Sequence, residues 1–300
     1  MERTIEVHEV VLLPNGERMG YRTAGEGEEL LLLIHGNMTS SRHWQPVLMA
    51  MPEGVRMVAV DLRGFGLSTY HKPIDSLFDF AADVKAFVDL LGLKDFTIAG
   101  WSTGGGVAME FVANFPGYAK KLILLESVGY TGYPIFRKNE RGEEIPGDYL
   151  TTKEEIANDP VKVIPIVNAY ANRDKETLRM IWNAVIYNRN QPDPEEYEAY
   201  LEDMLTQRNL VDVDYALASF NMGHGFNGVT EGSGRIDRIE IPTLVLWGKQ
   251  DLVVPEYMAT STALAIGENA KLVIKENWGH SPIVDDLPGL VEIMVEFIRS

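Results

Sequence analysis

The stretch that decides the fold is Gly100-Trp101-Ser102-Thr103-Gly104, in which a serine stands two residues from a glycine on either side. A short apolar run ends just before it at Ala99, and a segment of helical character follows to about Phe115. This placement predicts a nucleophile elbow, the tight strand-to-helix turn that projects a serine hydroxyl above a β-sheet. Glycine suits both ends of the turn because the turn is crowded and needs unusual dihedral angles. Ser102 is therefore predicted to be a nucleophile.

Apolar runs of strand length alternate with helical patterns on both sides of the elbow. A β-hairpin is predicted around Asn15-Gly16, and an amphipathic helix over 77–91 has Ser76 and Asp79 as its predicted N-terminal cap. A last amphipathic helix is predicted from about 288 to 298. The predicted core strands are 5–13, 18–23, 30–34, 57–60, 96–99, 122–125, 243–247 and 271–274. Such alternation indicates a parallel sheet that is covered by helices on both faces.

One long segment, 127–234, breaks this alternation. It contains no convincing buried strand, it is rich in Glu, Asp, Tyr and Asn, and its formal charge is 10 − 18 = −8. We interpret it as a helical cap, or lid, that is inserted between the sixth and seventh core strands. The predicted domains are therefore an α/β core made of 1–126 and 235–300, and a cap made of 127–234.

The composition restricts the partners that this chain can have. Its 300 residues include no cysteine, which excludes disulfides and thiol nucleophiles, and the formal net charge is 27 − 44 = −17. That charge is expected to repel nucleic acids and anionic membranes, and it weakly favours a neutral or cationic small molecule as the partner. The first six residues do not read as a secretory signal, and no apolar run reaches the length of a membrane span. These patterns predict a soluble, cytoplasmic protein, and they leave open whether it is a monomer or a homodimer.

Two positions downstream of the elbow supply the base and the acid that a serine nucleophile needs. Asp251 follows an apolar strand that runs into a glycine-containing loop, so it is expected at the sheet edge where Ser102 lies. His280 follows the last predicted strand and completes the order nucleophile, acid, histidine. Glu126, at the end of the sixth strand, is an alternative acid with a weaker sequence context. None of the other histidines follows the acid; they are His8, His35, His43, His71 and His224.

Two main-chain N–H groups are predicted to hold the oxyanion of a tetrahedral intermediate. One belongs to Thr103, directly after the nucleophile, and the other to Asn37, in the loop after the third strand. The side chain of Asn37 has an alternative role, which is to face the pocket and bind substrate. His35 in the same loop is predicted to be structural, and so is the glycine-containing turn 61–68.

Taken together, these motifs resemble the α/β-hydrolase superfamily over essentially the whole chain apart from the predicted cap. The motifs, in chain order, are His35-Gly36, Asp61 to Ser68, the elbow, Trp247 to Asp251 and Gly279-His280. The resemblance implies an α/β-hydrolase fold, an eight-stranded and mostly parallel sheet with a lid, and hydrolysis through a covalent acyl-enzyme without a cofactor or metal. Ser102 distinguishes the chain from the haloalkane dehalogenases and epoxide hydrolases of this type, which carry an aspartate nucleophile. The glycines after the elbow resemble those of the cofactor-free perhydrolases, which are haloperoxidase-like esterases.

The leading interpretation is a serine carboxylester hydrolase that acts on small to medium, neutral esters. Two alternatives share the same residues: a lactonase, and a carbon–carbon bond hydrolase that cleaves vinylogous diketones. A third is a receptor or binding protein of the hydrolase fold with negligible turnover. Six cap side chains are available either to shape a substrate pocket or to fill the cap's own core: Tyr170, Trp182, Tyr187, Phe220, Met222 and His224.

Overall fold

An eight-stranded β-sheet runs through the centre of the structure, a computed structural model that describes residues 4–300. Residues 1–3, to which part of the signal-peptide prediction applies, lie outside the described residues. The strands are β1 (Ile5–Leu12), β2 (Arg18–Ala24), β3 (Glu29–Ile34), β4 (Val55–Val60), β5 (Phe96–Trp101), β6 (Ala119–Leu125), β7 (Phe136–Lys138), β8 (Glu144–Tyr149), β9 (Thr243–Gly248) and β10 (Ala270–Lys275).

The strand order across the sheet is β1-β2-β4-β3-β5-β6-β9-β10, while β7 and β8 pair with each other elsewhere. Strand β2 is antiparallel to both of its neighbours, and every other neighbouring pair in the sheet is parallel. The predicted eight-stranded, mostly parallel sheet is therefore confirmed. Because the carboxyl ends of β3, β5, β6, β9 and β10 lie along one edge, the loops that follow these strands come together there.

Helices cover both faces of this sheet, as predicted. The α-helices of the described residues, including those that do not pack on the sheet, are α1 (Gln45–Ala50), α2 (Leu77–Leu90), α3 (Thr103–Asn114), α4 (Lys153–Ala157), α5 (Ile164–Asn172), α6 (Lys175–Val185), α7 (Pro194–Met204), α8 (Leu210–Ser219), α9 (Glu256–Ile266), α10 (Pro282–Asp285) and α11 (Leu287–Arg299). Helices α2, α3 and α9 pack on one face, and α1 and α11 pack on the other. None of the helices in residues 4–300 combines the length and the apolar character that a membrane crossing requires.

The apolar run in β3 shows how sequence dictates this layering. Leu32 and Ile34 enter the core beneath α2 and α3, while Leu31 and Leu33 enter the core beneath α1 and α11. A strand that is buried on both faces needs an apolar residue at each position, which explains why the run shows no polar alternation. The predicted N-terminal hairpin is also present, and so is the predicted capping box of α2, in which Ser76 and Asp79 satisfy each other's backbone N–H groups.

The segment between β6 and β9, which we call the insertion, contains the β7–β8 hairpin and helices α4 to α8. Its helical character was expected, but the hairpin was not. Strand β8 is exposed over most of its length and contains Pro146 and Gly147, so it shows neither the apolar alternation nor the composition of a strand. A buried ion pair of 2.7 Å between Lys138 Nζ and Asp159 Oδ2 holds the hairpin against the rest of the insertion. The domain boundaries at 126 and 235 remain a prediction.

Candidate active site

The turn between β5 and α3 has the geometry of the predicted elbow. Ser102 lies at φ 55° and ψ −121°, a combination that is strained for a residue with a side chain. A Cβ atom on Gly100 would stand 2.1 Å from the carbonyl oxygen of Gly104, and one on Gly104 would stand 2.4 Å from the carbonyl oxygen of Ile34. Both glycines are therefore required for the chain to turn at this place, and the turn leaves the serine side chain partly exposed at the carboxyl edge of the sheet.

Ser102, His280 and Asp251 form a hydrogen-bonded chain across this edge. The Nε2 atom of His280 lies 3.0 Å from Ser102 Oγ, and its Nδ1 atom lies 2.8 Å from Asp251 Oδ2. The other carboxylate oxygen, Asp251 Oδ1, accepts hydrogen bonds from the N–H groups of Val253 and Val254, at 2.6 and 2.9 Å. Because a carboxylate can only accept, the neutral imidazole carries its proton on Nδ1 and offers Nε2 to the serine hydroxyl as an acceptor.

The loop that carries His280 is fixed by contacts that the sequence did not reveal. The indole N–H of Trp101, in the elbow itself, donates to the His280 carbonyl oxygen at 2.7 Å. His43 stacks on Trp101 with ring centroids 4.4 Å apart, and its Nε2 atom lies 3.3 Å from Ser281 Oγ. Burial is the main cause that lowers the pKa of His43 to about 3, so this ring stays neutral at physiological pH. His43 is thus a packing residue behind the site rather than a competing base.

The two residues predicted to hold an oxyanion both lie next to Ser102. Thr103 begins α3, and the first turn of a helix leaves its N–H groups without acceptors inside the helix. Asn37 follows Gly36, which packs so closely on the elbow that a Cβ atom there would stand 3.1 Å from Ser102 Cβ. The structure therefore brings Asn37, Thr103 and Ser102 together, and the role of the two N–H groups remains a prediction.

The side chain of Asn37 contacts the insertion. Its Oδ1 atom accepts from the Met38 N–H at 3.0 Å and from Gln207 Nε2 at 2.8 Å, and its Nδ2 atom donates to Asp214 Oδ1 at 3.2 Å. Burial raises the pKa of Asp214 to about 7, with Asp159 acting in the same direction and Lys162 and Asn37 opposing it. A carboxyl group that is half ionised near neutral pH thus lies beside the oxyanion loop.

This raised pKa makes the stability of the protein depend on pH. Between about pH 4 and pH 7 folded Asp214 keeps a proton that the unfolded chain has lost, so the contribution of this group to stability decreases as pH rises through that window. An Asp214→Asn variant lacks this ionisation. We therefore expect the Tm of the variant minus the Tm of wild type to increase by several degrees between pH 5 and pH 8. Calorimetric scans of both proteins at the two pH values measure the difference. If the Tm values of the two proteins changed with pH in parallel, this would contradict a raised pKa at Asp214.

His35 and the turn 61–68 contact backbone, as predicted for structural groups. His35 donates from Nδ1 to the Gly36 carbonyl oxygen at 2.7 Å and accepts from the Leu62 N–H at 2.9 Å. The Asp61 carboxylate accepts from backbone N–H groups in two different loops, at 2.8 and 2.9 Å. These bonds fix the oxyanion loop relative to its neighbours.

Glu126, the alternative acid, directly follows β6 and lies near Asp251. Its side chain is fully buried, Oε2 accepts from the Gly248 N–H at 3.1 Å, and Oε1 has no hydrogen-bond partner among the described residues. Burial, followed by the charge of Asp251, holds the pKa of the Glu126 carboxyl well above its usual range. A neutral carboxylic acid cannot supply the negative charge that stabilises an imidazolium, whereas Asp251 bonds directly to the His280 ring.

Glutamine at position 126 reproduces the shape of this buried side chain and the neutral form that burial favours. We therefore expect the Glu126→Gln variant to keep its kcat/KM for p-nitrophenyl butyrate within about threefold of wild type. Steady-state kinetics with a matched thermal scan test this. A large loss of activity from a variant that folds normally would show that an ionised Glu126 is needed.

The six cap side chains occupy different environments. Trp182 and Tyr187 are buried around His43, while Phe220 and Met222 are buried in the core beneath α2 and α3. His224 is exposed and pairs with Asp237 at 3.1 Å. Tyr170 alone of the six is both partly accessible and next to Gln207, to which its hydroxyl donates at 2.8 Å.

Two features of the described residues bear on ligands. No group of three or more His, Cys, Asp or Glu side chains within 4–300 is arranged to hold a metal ion. A surface cavity of about 770 Å³ is lined by residues that include Tyr149, Phe226 and Tyr257, but neither Ser102 nor His280 is among its walls. That cavity is therefore separate from the hydrogen-bonded residues Ser102, His280 and Asp251.

Comparison with known proteins agrees with this fold. A sequence model of the alpha/beta hydrolase fold matches residues 29–287. The bifunctional esterase/perhydrolase DCH of Acinetobacter calcoaceticus is 25% identical over 297 residues, which is 94% of this chain and 100% of that protein. The 2-hydroxy-6-oxononadienedioate/2-hydroxy-6-oxononatrienedioate hydrolase of Burkholderia vietnamiensis is 26% identical over 288 residues, which is 94% of this chain and 91% of that protein. The solved structure of an esterase from Exiguobacterium antarcticum superposes with a TM-score of 0.72 at 19% identity, covering 97% of this chain and 99% of that one.

Proposed function

The chain belongs to the α/β-hydrolase fold family, and from this we propose that it is a serine hydrolase that cleaves carboxylic esters of small to medium, neutral substrates. One observation carries the proposal: the Ser102 hydroxyl stands on the elbow, 3.0 Å from an imidazole nitrogen whose ring is oriented by a buried carboxylate. This is the arrangement that turns a weakly nucleophilic hydroxyl into an attacking group. The relative from Acinetobacter calcoaceticus, an esterase/perhydrolase, supports the choice of esters.

The proposed reaction has two halves. Ser102 Oγ attacks the ester carbonyl carbon while its proton passes to His280 Nε2, and the N–H groups of Asn37 and Thr103 hold the oxygen that becomes negative. His280 then gives the proton to the departing alkoxide, which leaves as the alcohol, and the acyl group stays on Ser102. In the second half, water attacks the acyl-enzyme by the same route and releases the acid. Asp251 stabilises the imidazolium that forms in each half.

The proposed neutrality of the substrate rests on the charges around the serine. No lysine or arginine among the described residues donates a hydrogen bond to Ser102, His280, Asn37 or Asp214. Lys162, whose charge lowers the pKa of Asp214, is paired with Glu144, and Asp214 itself is about half ionised near neutral pH. A substrate carboxylate would find repulsion here rather than a partner. This favours an ester over the dioates on which the Burkholderia vietnamiensis relative acts.

Steady-state assays with p-nitrophenyl acetate and butyrate test the proposal. We expect turnover of both, with a burst of p-nitrophenol if deacylation is slower than acylation. Well-folded protein that shows neither burst nor turnover would favour the binding-protein alternative. A panel that adds lactones and vinylogous diketones tests the other two alternatives, and conversion of only the diketones would overturn the ester proposal.

A further inference from the structure

A row of polar side chains from the insertion faces the oxyanion loop. Gln207 lies between α7 and α8, and its Nε2 atom donates to Asn37 Oδ1 at 2.8 Å, while its Oε1 atom accepts from the Tyr170 hydroxyl at 2.8 Å. Asp214 lies in α8 and accepts from Asn37 Nδ2 at 3.2 Å. We call Asn37, Tyr170, Gln207 and Asp214 the polar wall. Its bonds fix which end of the Asn37 amide is oxygen and which is nitrogen.

Two members of the polar wall keep unused hydrogen-bonding capacity. Asp214 Oδ1 takes the Asn37 bond, and no described residue bonds to Asp214 Oδ2. Asn37 Nδ2 has two hydrogens, and Asp214 takes one of them. Asp214 and Tyr170 both retain solvent-accessible area, so packing does not seal either side chain.

The polar wall adjoins the reacting residues through Asn37, since a Cβ atom on the preceding Gly36 would stand 3.1 Å from Ser102 Cβ. Tyr133 donates its hydroxyl to the Val253 carbonyl oxygen, two residues from Asp251. Burial, then the charge of Asp251 and, more weakly, that of Asp214, raises the pKa of Tyr133 above its usual value. Tyr133 thus lies beside the loop that carries Asp251, and the hydrogen bond from Asn37 places Asp214 next to the oxyanion loop.

The charged groups near Asp214 are already paired with others. Lys162 bonds to Glu144 at 2.8 Å, and Asp159 bonds to Lys138 at 2.7 Å. Neither makes an ion pair or hydrogen bond with Asp214. The free oxygen of Asp214 is therefore available to a ligand.

We propose that Asp214 Oδ2 and Asn37 Nδ2 form a subsite for a hydroxyl group of the substrate, so that the preferred substrates are hydroxylated esters. A hydroxyl group both donates and accepts, and it can satisfy an acceptor and a donor that stand side by side. A carboxylate can only accept and is repelled by Asp214, and an ammonium can only donate and leaves the Asn37 hydrogen unused. The subsite rests on the proposed ester hydrolysis, because it lies beside the N–H group that would hold the carbonyl oxygen.

Matched pairs of esters test the subsite, each pair exchanging a hydroxyl group for a methyl group. One pair is 2-hydroxyethyl butanoate and propyl butanoate, with the hydroxyl in the alcohol; the other is methyl 3-hydroxybutanoate and methyl 3-methylbutanoate, with the hydroxyl in the acyl group. The readout is the preference ratio, which is the kcat/KM of the hydroxylated ester divided by that of its methyl partner, measured by acid release at pH 8. We expect the wild-type preference ratio to exceed about 10 in at least one pair, because one hydrogen bond to a charged group typically changes affinity by about that factor or more.

Variants at position 214 separate recognition from packing. Asp214→Ala should bring the ratio to about 1. Asp214→Asn, whose amide oxygen still accepts from Asn37 and whose NH₂ group can donate to the substrate hydroxyl, should retain part of it. Asp212→Asn is the matched control, since Asp212 lies on the same helix but pairs with Lys153 and Tyr70, and it should keep the wild-type ratio. Wild-type ratios near one in both pairs, or an unchanged ratio in Asp214→Ala, would overturn the subsite.

Binding to Ser102→Ala protein distinguishes failure of the subsite from failure of the proposed function. Titrations of the same pairs into this protein, followed by NMR, report affinity without turnover. Tighter binding of the hydroxylated member, lost in the Ser102→Ala/Asp214→Ala double variant, supports the subsite even if the wild-type protein hydrolyses no ester. Equal binding of both members of each pair overturns it, whatever the turnover.

Discussion

Ester turnover by the Ser102→Ala variant is expected to fall by about 10⁶-fold, the loss seen when the nucleophile of a serine hydrolase is removed. The change deletes only Oγ, the atom proposed to attack the carbonyl carbon. Among the described residues, Ser102 Oγ makes its hydrogen bond with His280, at 3.0 Å, so no buried group elsewhere loses its partner. Alanine keeps the same Cβ atom at the same strained backbone position, and the fold should therefore be unchanged.

The measurement is kcat/KM for p-nitrophenyl butyrate, together with a thermal scan of each protein. Ser261→Ala is a suitable control because, within residues 4–300, that hydroxyl bonds only to the Met258 carbonyl oxygen of its own helix α9. We expect wild-type activity from the control and a Tm within a few degrees of wild type for both variants. Substantial activity in folded Ser102→Ala protein would mean that another group attacks the ester.

The features that sequence predicts well here are those with local causes. The elbow follows from two glycines that the turn itself requires, since Gly100 and Gly104 approach backbone atoms at 2.1 and 2.4 Å. The buried strands follow from apolar runs such as that of β3, which needs no knowledge of its partners. The order of Ser102, Asp251 and His280 then places three residues at strand ends that lie along one edge of the sheet.

The features that sequence misses depend on which distant segments meet. The contact of Asn37 with Asp214 spans 177 residues and exists because the insertion folds back over the oxyanion loop. His43 reads as a loop histidine, and its place behind Trp101 is visible only once the chain is folded. The hydrophobic periodicity of a helix or strand does not encode these long-range contacts, because that periodicity is the same whichever distant segment the element packs against.

Glu126 shows a third kind of limit. Sequence places it correctly at the end of β6, where an acid could serve His280. Its protonation state depends on complete burial and on Asp251 across the neighbouring strand, and both are properties of the folded protein. Position alone therefore left two candidate acids, and the environment of each favours Asp251.

The Asp251→Asn variant is expected to lose about 10⁴-fold in turnover, or about 5 kcal/mol of transition-state stabilisation. The N–H groups of Val253 and Val254 both donate to Oδ1 of the wild-type carboxylate. In the variant these two donors hold the amide oxygen, so the amide NH₂ group is turned toward His280. An NH₂ group can only donate, which forces the imidazole to accept at Nδ1 and to carry its proton on Nε2.

That tautomer presents an N–H group to the Ser102 hydroxyl, so His280 can no longer remove the proton of the nucleophile. Because asparagine matches aspartate in size, we expect normal folding, and the loss should appear in kcat/KM for p-nitrophenyl butyrate. Glu126→Gln is the paired variant, since it makes the same chemical change in the neighbouring carboxyl group. If Asp251→Asn stayed near wild type while Glu126→Gln lost its activity, the acid that orients His280 would be Glu126, and the proton path argued for this site would be wrong.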